Sequence, residues 1–413
     1  MSDERVGAVA PVSAIRGHFP ALERKHNGFP VAYFDAPGGT QVPPAVGDAM
    51  VDYLYNHNAT AHWAFPTSIE TDAARDHARR TLAAFLNSAP NEIVLGPNMT
   101  TLTFHLSRAL GRSMGAGDEI IVTELDHHAN VAPWKALETE CKVTVHQARM
   151  LPATGQLDWE HLESLVSNRT RLIAVGAASN ALGTINDVFR AAQIAHSVGA
   201  LLFVDGVHYA QHDLVDVQAL GCDFFTCSAY KYYGPHVGVL YARHELLKEL
   251  EFAKLIPAPD TAPERGETGT LNHEGVVGAA AALEWLGSLA PGTGLRDRLR
   301  SVYAELHVRS GKLLQDLCEG LSTTQRVTLY GPGLDTVRTP TVAFTVAEVA
   351  SSEVSRLLAR QGVFTSHGDF YAHTVVERLG LRPEGLVRAG CACYTTAEEI
   401  ARLVDGVRMI VRR

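Results

Sequence analysis

Residues 201–243 read LLFVDGVHYAQHDLVDVQALGCDFFTCSAYKYYGPHVGVLYAR, and they decide the fold. Leu201 to Val204 form an apolar run short enough for a strand buried on both faces, and the run stops at a charge, Asp205. A carboxylate at the end of such a strand needs a partner. A crossover leads to a second apolar run, Cys222 to Cys227, which ends in Ser228 and Lys231. The Gly234-Pro235 turn then introduces a third run, Val237 to Tyr241. In an open α/β sheet, ligands sit outside the carboxyl ends of the strands, which sets Asp205, Ser228 and Lys231 around one ligand. By residue type alone Asp205 could cap a helix and Lys231 could be a solvated surface lysine. A charge ending a doubly buried strand favours the ligand role.

Working outward, the same pattern recurs upstream. EIVLGPNMTTLTFHLSRAL (92–110) is a strand, a turn and a helix whose hydroxyl-rich first turn could either cap itself or present N–H groups to an anion. EIIVTELDHHANVAPW (119–134) carries a strand into His127 and His128, which point different ways and make a poor metal pair without further ligands. TRLIAVGAASNALGTIND (170–187) ends a buried strand at Asn180. Strands and helices alternate from about residue 91 to 241, the signature of βαβ units and a mainly parallel sheet. Helical patterns cover Pro44 to Tyr55, Ile69 to Leu86, Val276 to Leu289 and Leu295 to Leu317.

The 413 residues suffice for a large core and two domains; 46% are hydrophobic and 20% charged. A net charge of -9 with no Lys/Arg cluster argues against a nucleic-acid or anionic-membrane partner and for a small-molecule one. No apolar stretch reads as a signal peptide or membrane span, so a cytoplasmic protein is expected. Six cysteines at unpaired spacings read as reduced thiols, and no metal site is expected.

The central block resembles the active-site segment of the class V, fold-type I aminotransferases, which use pyridoxal 5′-phosphate (PLP), and within them the cysteine desulfurases. Their Ser-x-His-Lys followed by Gly-Pro appears here as SAYK then YYGP, with Tyr230 in the histidine place. The resemblance runs from about Val31 to Met409. It implies a large domain with a mainly parallel seven-stranded sheet sandwiched by helices, residues 31–290, and a smaller α+β domain, residues 291–413. Residues 1–30 would be a segment packing with the small domain.

Carried over by motif, Lys231 would form the Schiff base and shuttle the substrate's Cα proton, and Asp205 would pair with the pyridine nitrogen. His127, first histidine of DHHA with Asp126 in a glutamate's place, would stack on the ring and assist proton transfer. Thr100, the backbone of Met99, and Ser228 would hold the phosphate, with Thr270 of GTLN reaching in from the second subunit of a homodimer. Asn180 and His208 would meet the phenolic oxygen; His208 replaces a glutamine and would make that contact titratable. The turn at Ala36 and the loop holding His62 and Trp63 would line the substrate side, and Arg388 would clamp the α-carboxylate.

One departure bears on the reaction. In GVFTSHGDFYA (362–372), Tyr371 occupies the place of the desulfurases' cysteine and Ser366 that of an arginine. Cys391 and Cys393 alternate with Arg388 along a strand and should face away from the substrate. The resemblance thus implies an α-amino acid forming an external aldimine and a quinonoid, followed by C–S β-elimination from cysteine or an S-substituted cysteine. Transamination, epimerisation, desulfurization through a displaced thiol, and a non-catalytic PLP-binding relative are the alternatives.

Overall fold

The computed structural model describes residues 9–412; the first eight residues of the expected N-terminal segment lie outside the described residues. Seven strands form the main sheet: β1 (Ile93–Gly96), β2 (Glu119–Thr123), β3 (Thr144–Ala148), β4 (Thr170–Gly176), β5 (Leu201–Asp205), β6 (Phe224–Ser228) and β7 (Gly238–Ala242). Their spatial order is 1-7-6-5-4-2-3. Neighbours from β6 through β5, β4 and β2 to β3 are parallel, and only β7 runs against its two neighbours. Apolar side chains of β5 divide between clusters on the two faces, Leu202 and Val204 to one and Phe203 to the other. That double burial explains the run of apolar residues without polar alternation.

The reversed β7 brings its start, Gly238, beside the carboxyl ends of β1 and β6, in register with Gly96 and Ser228. A side chain at Gly238 would come within 2.4–2.7 Å of the Asn98 backbone, so only glycine lets β7 approach the helix Met99–Gly111 that follows β1. Asn98 caps that helix, accepting from the Thr101 N–H at 2.9 Å.

A second, antiparallel sheet comprises β8 (Val327–Tyr330), β9 (Thr341–Val346), β10 (Ser366–Gly368) and β11 (Leu386–Gly390), ordered 8-9-11-10. Its core also includes Ala32 and Phe34, because Ala32–Tyr33 pairs with Val363–Phe364 and Asp35 bridges to Gly390. The chain around residues 32–35 therefore pairs with the C-terminal layer, while the Tyr33 side chain packs against the large core. The N-terminal segment does the reverse of a clean assignment: Ile15 and Phe19 enter the large core, while Arg16 bonds Tyr394 and Glu399. Helix Leu295–Ser322 joins both cores, with Leu299 and Val302 in the first and Leu314, Leu317 and Leu321 in the second. No helix among the described residues is long and apolar enough to cross a membrane.

Candidate active site

A cavity of about 780 Å³ opens at the carboxyl ends of the large sheet and is walled on the far side by the small one. Five strand ends deliver groups to it: Asn98, Met99 and Thr100 after β1, Asp126 and His127 after β2, Asn180 after β4, Asp205 and His208 at the end of β5, Ser228 and Lys231 at the end of β6. The second sheet contributes Ser366 and Arg388, and the turn after β10 adds Phe370 and Tyr371.

Lys231 is buried, and its ammonium donates to the carbonyls of Pro37 and Gly38, the latter at 3.0 Å. Burial, with Arg388 close by, lowers its pKa to about 7, so much of it is uncharged and nucleophilic near neutral pH. Asp205 is buried at the end of β5, accepts from the Val207 N–H at 3.0 Å, and is pushed up by burial to about 6. Asp126 accepts from Gly176 N–H at 2.6 Å, and a Cβ at Gly176 would collide with that same oxygen. Burial first, then the charge of Asp205, raises Asp126 to about 8. Two carboxyl groups thus share the floor of one cavity, and near neutral pH Asp126 holds the proton while Asp205 holds the charge.

This gives a pH signature. Asp126 titrates near 4 in an unfolded chain, so between there and about 8 the folded chain keeps a proton that the unfolded chain has lost. Stability falls as pH rises through that window. In Asp126→Asn the loss is gone: the melting temperature of the apoprotein variant, relative to wild type, should improve steadily from about pH 5 to about pH 8. A difference that stays flat with pH would show that Asp126 titrates normally.

His127 accepts at Nδ1 from the Ala129 N–H at 3.0 Å, which places the proton of the neutral ring on Nε2. Burial lowers its pKa to about 4, and the Tyr371 ring lies against it at 5.4 Å. His208 places Nε2 within 3.0 and 3.1 Å of the Thr339 and Thr341 hydroxyls and leaves Nδ1 unpartnered. Burial holds this ring well below its ordinary pKa, so the contact expected to be titratable is instead fixed in the neutral form. Asn180 uses an amide N–H on the Phe370 carbonyl at 2.9 Å and leaves Oδ1 without a partner.

Arg388 on β11 is buried beneath the Phe370 ring, with 4.2 Å between guanidinium and ring centre. Nε donates to Ser366 at 3.2 Å, one terminal nitrogen to the Asn180 carbonyl at 2.9 Å, and the other to Asp35 at 3.4 Å. Of five N–H donors this leaves one on each terminal nitrogen, a pair suited to a carboxylate. Burial lowers its pKa to about 10.

Three expected positions do not reach the cavity within this chain. Ala36 is buried, and its neighbours Asp35, Pro37 and Gly38 line the wall instead. His62, at a positive φ of 69°, is exposed and held between Asp72 and Arg75, because the loop turns outward there. Thr270 is exposed on the polar loop before helix His273–Ser288 and does not line the cavity of its own chain. Met99 turns its side chain into the core and spends its N–H on the Ser228 hydroxyl at 3.0 Å. Asp35, Phe370 and His236 line the cavity although sequence reasoning singled none of them out. Asp35 follows a short apolar run, as Asp205 does, which was a usable signal; Phe370 and His236 gave none.

Among the described residues, no cysteine lines the cavity. Cys391 and Cys393 are buried in the two cores, each thiol raised by burial to about 12.

The fold and this constellation have relatives. Residues 32–403 match the family model of class V aminotransferases. A cysteine desulfurase of Pectobacterium atrosepticum is 34% identical over 97% of this chain and 98% of its own, and one from Dickeya dadantii is 32% identical over 97% of each. Among solved structures, a cysteine desulfurase of Escherichia coli superposes with a TM-score of 0.85 at 28% identity, covering 98% of this chain and 99% of that one. The apo cysteine desulfurase of Thermococcus onnurineus gives 0.87 at 27% identity over the whole of both chains. A lysine, an acid and an arginine converging at the strand ends of this fold agree with that kinship: the chain belongs to the class V aminotransferase family and is a PLP-dependent enzyme of the cysteine desulfurase-like class.

Proposed function

We propose that the chain is a lyase that breaks the C–S bond of cysteine or an S-substituted cysteine by β-elimination. The observation that carries this reading is a cavity with a buried lysine and a buried arginine and, among the described residues, no thiol on its wall. Removal of a Cα proton is provided for; an acceptor for the substrate's sulfur is not. The balance of the reaction is one thiol, one keto acid and one ammonia from one amino acid and one water.

The cavity suits the cofactor. Unpartnered polar atoms on Asn180 and His208, both cavity residues, are what a ring bearing a phenolic oxygen would satisfy. Asp205 would face the ring nitrogen, and Thr100 and Ser228 the phosphate at the start of the helix. When bound, the cofactor supplies an electron sink for the charge left at Cα. Arg388 then holds the α-carboxylate, Lys231 takes the Cα proton, and Asp205 stays anionic while Asp126 does not. His127 covers the site as a neutral ring, and the half-turn at Phe370–Tyr371, both at positive φ, sets an aromatic rim where a desulfurase would need its nucleophile.

The decisive assay feeds cysteine and S-alkyl cysteines to the purified holoenzyme and quantifies products. Pyruvate with ammonia and the free thiol is expected, and Cys391→Ser and Cys393→Ser should each keep turnover within about twofold, since burial keeps both thiols protonated. Alanine accumulating in step with sulfur, and lost in either serine variant, would replace this reading by desulfurization through a displaced thiol.

We also propose a homodimer in which Thr270 completes the second subunit's phosphate site. The support is an apolar surface along residues 51–69, where Tyr55 is 83% and Trp63 63% exposed alongside Phe65 and Ile69. Tyr55→Glu with Trp63→Glu should convert the dimer to monomer by light scattering and weaken PLP binding. A double variant that remains dimeric would exclude this face as the contact.

A further inference from the structure

We infer that His236 is an additional ligand for the cofactor's phosphate, acting as an imidazole N–H donor at the rim of the site; the inference rests on the phosphate end proposed above. His236 lines the same cavity and is exposed. Its ring stacks on Tyr230 at 5.0 Å with 24° between planes, and among the described residues no hydrogen bond or ion pair engages its nitrogens. It lies two residues before Gly238, which is packed on the Asn98 backbone and opposite Ser228 in the sheet. The imidazole therefore shares the cavity wall with the helix start that carries Met99 and Thr100, and it is stacked on Tyr230.

The charge distribution shows what this donor is for. A phosphate monoester brings about −1.5 to −2 charge at neutral pH. The other basic side chains on the cavity wall besides the histidines are Lys231, which donates to Pro37 and Gly38, and Arg388, which is held by Asp35, Asn180 and Ser366 across the cavity. Three of the lining residues, Asp35, Asp126 and Asp205, are carboxylic acids. At the helix start the remaining donors are neutral hydroxyls and N–H groups, one of which Ser228 already occupies. His236 adds to them a side chain whose ring nitrogens make no other bond among the described residues and can donate to the phosphate oxygens.

The test compares the affinity of the apoenzyme for PLP and for pyridoxal, which lacks the phosphate, in wild type, His236→Ala, His236→Lys and Thr100→Val. The expected result is a PLP dissociation constant raised about tenfold in His236→Ala, unchanged affinity for pyridoxal, and recovery of PLP affinity in His236→Lys. Equal losses for both ligands in His236→Ala would mean that the ring only supports Tyr230, and the inference falls. Loss of PLP affinity in Thr100→Val with none in His236→Ala would also overturn it, while leaving the phosphate end where it is proposed. If wild type binds pyridoxal as tightly as PLP, the phosphate end itself is misplaced and the inference goes with it.

Discussion

Lys231→Met is expected to lower turnover of any amino-acid substrate by about 10⁴-fold, the upper range for removal of a general base. Borohydride should no longer fix PLP to the protein, a change read by intact mass. The same substitution should leave the fold intact and even favour it. In the folded chain Lys231 titrates near 7, against an ordinary lysine value near 10.5, because burial and Arg388 oppose its charge. Between those pH values the unfolded chain holds a proton that the folded chain lacks, so this lysine weakens the apoprotein most at and below neutral pH, and the penalty fades as pH rises towards 10.5. A methionine of similar length removes the charge without opening a void. The apoprotein of Lys231→Met should therefore melt no lower than wild type at pH 7, while its catalysis is lost. Residual turnover within about tenfold of wild type would remove Lys231 from the chemistry; a large drop in melting temperature would mean that its bonds to Pro37 and Gly38 matter more to the fold than its desolvation costs. Stability withheld at a functional residue is the expected pattern for an active site.

Strand ends were legible because burial leaves no room for polar residues until the chain leaves the sheet. The step from Val204 to Asp205, or from Cys227 to Ser228, marks the edge as clearly in letters as in space. The same logic located Asn180 and the hydroxyl-bearing helix start. It failed where position depends on chain segments far apart in sequence. Ala36 was named one residue from the groups that line the wall, since a turn exposes Pro37 and Gly38 carbonyls that no side-chain pattern records. His208 was read as titratable because the letters cannot show that Thr339 and Thr341, some 130 residues later, enclose it. The pairing of Ala32–Tyr33, a two-residue strand whose partner lies at Val363–Phe364, was hidden for a related reason. Pairing at that separation leaves no local trace.

The second large effect concerns Arg388. Arg388→Met should reduce kcat/KM for the α-amino-acid substrate by about 10³-fold, in the range for removing one partner of a buried, hydrogen-bonded charge pair. On the proposed reading the carboxylate of the substrate is that partner, since the guanidinium keeps one N–H free on each terminal nitrogen after bonding Ser366, Asn180 and Asp35. The fold should tolerate the change, since the Asp35 left behind is half exposed and can be solvated. A lysine would not repair the loss: it offers a point charge where a planar fork is required. What separates recognition of the substrate from mere support is a substrate without the carboxylate. For cysteamine or its S-alkyl derivatives, wild type should already be slow, and Arg388→Met should change their kcat/KM by no more than about threefold. The preference of wild type for the amino acid over the amine would then collapse in the variant, with PLP affinity unchanged. If the amine suffers as much as the amino acid, Arg388 is holding the Phe370 ring and the Asn180 turn in place, and the carboxylate is bound elsewhere.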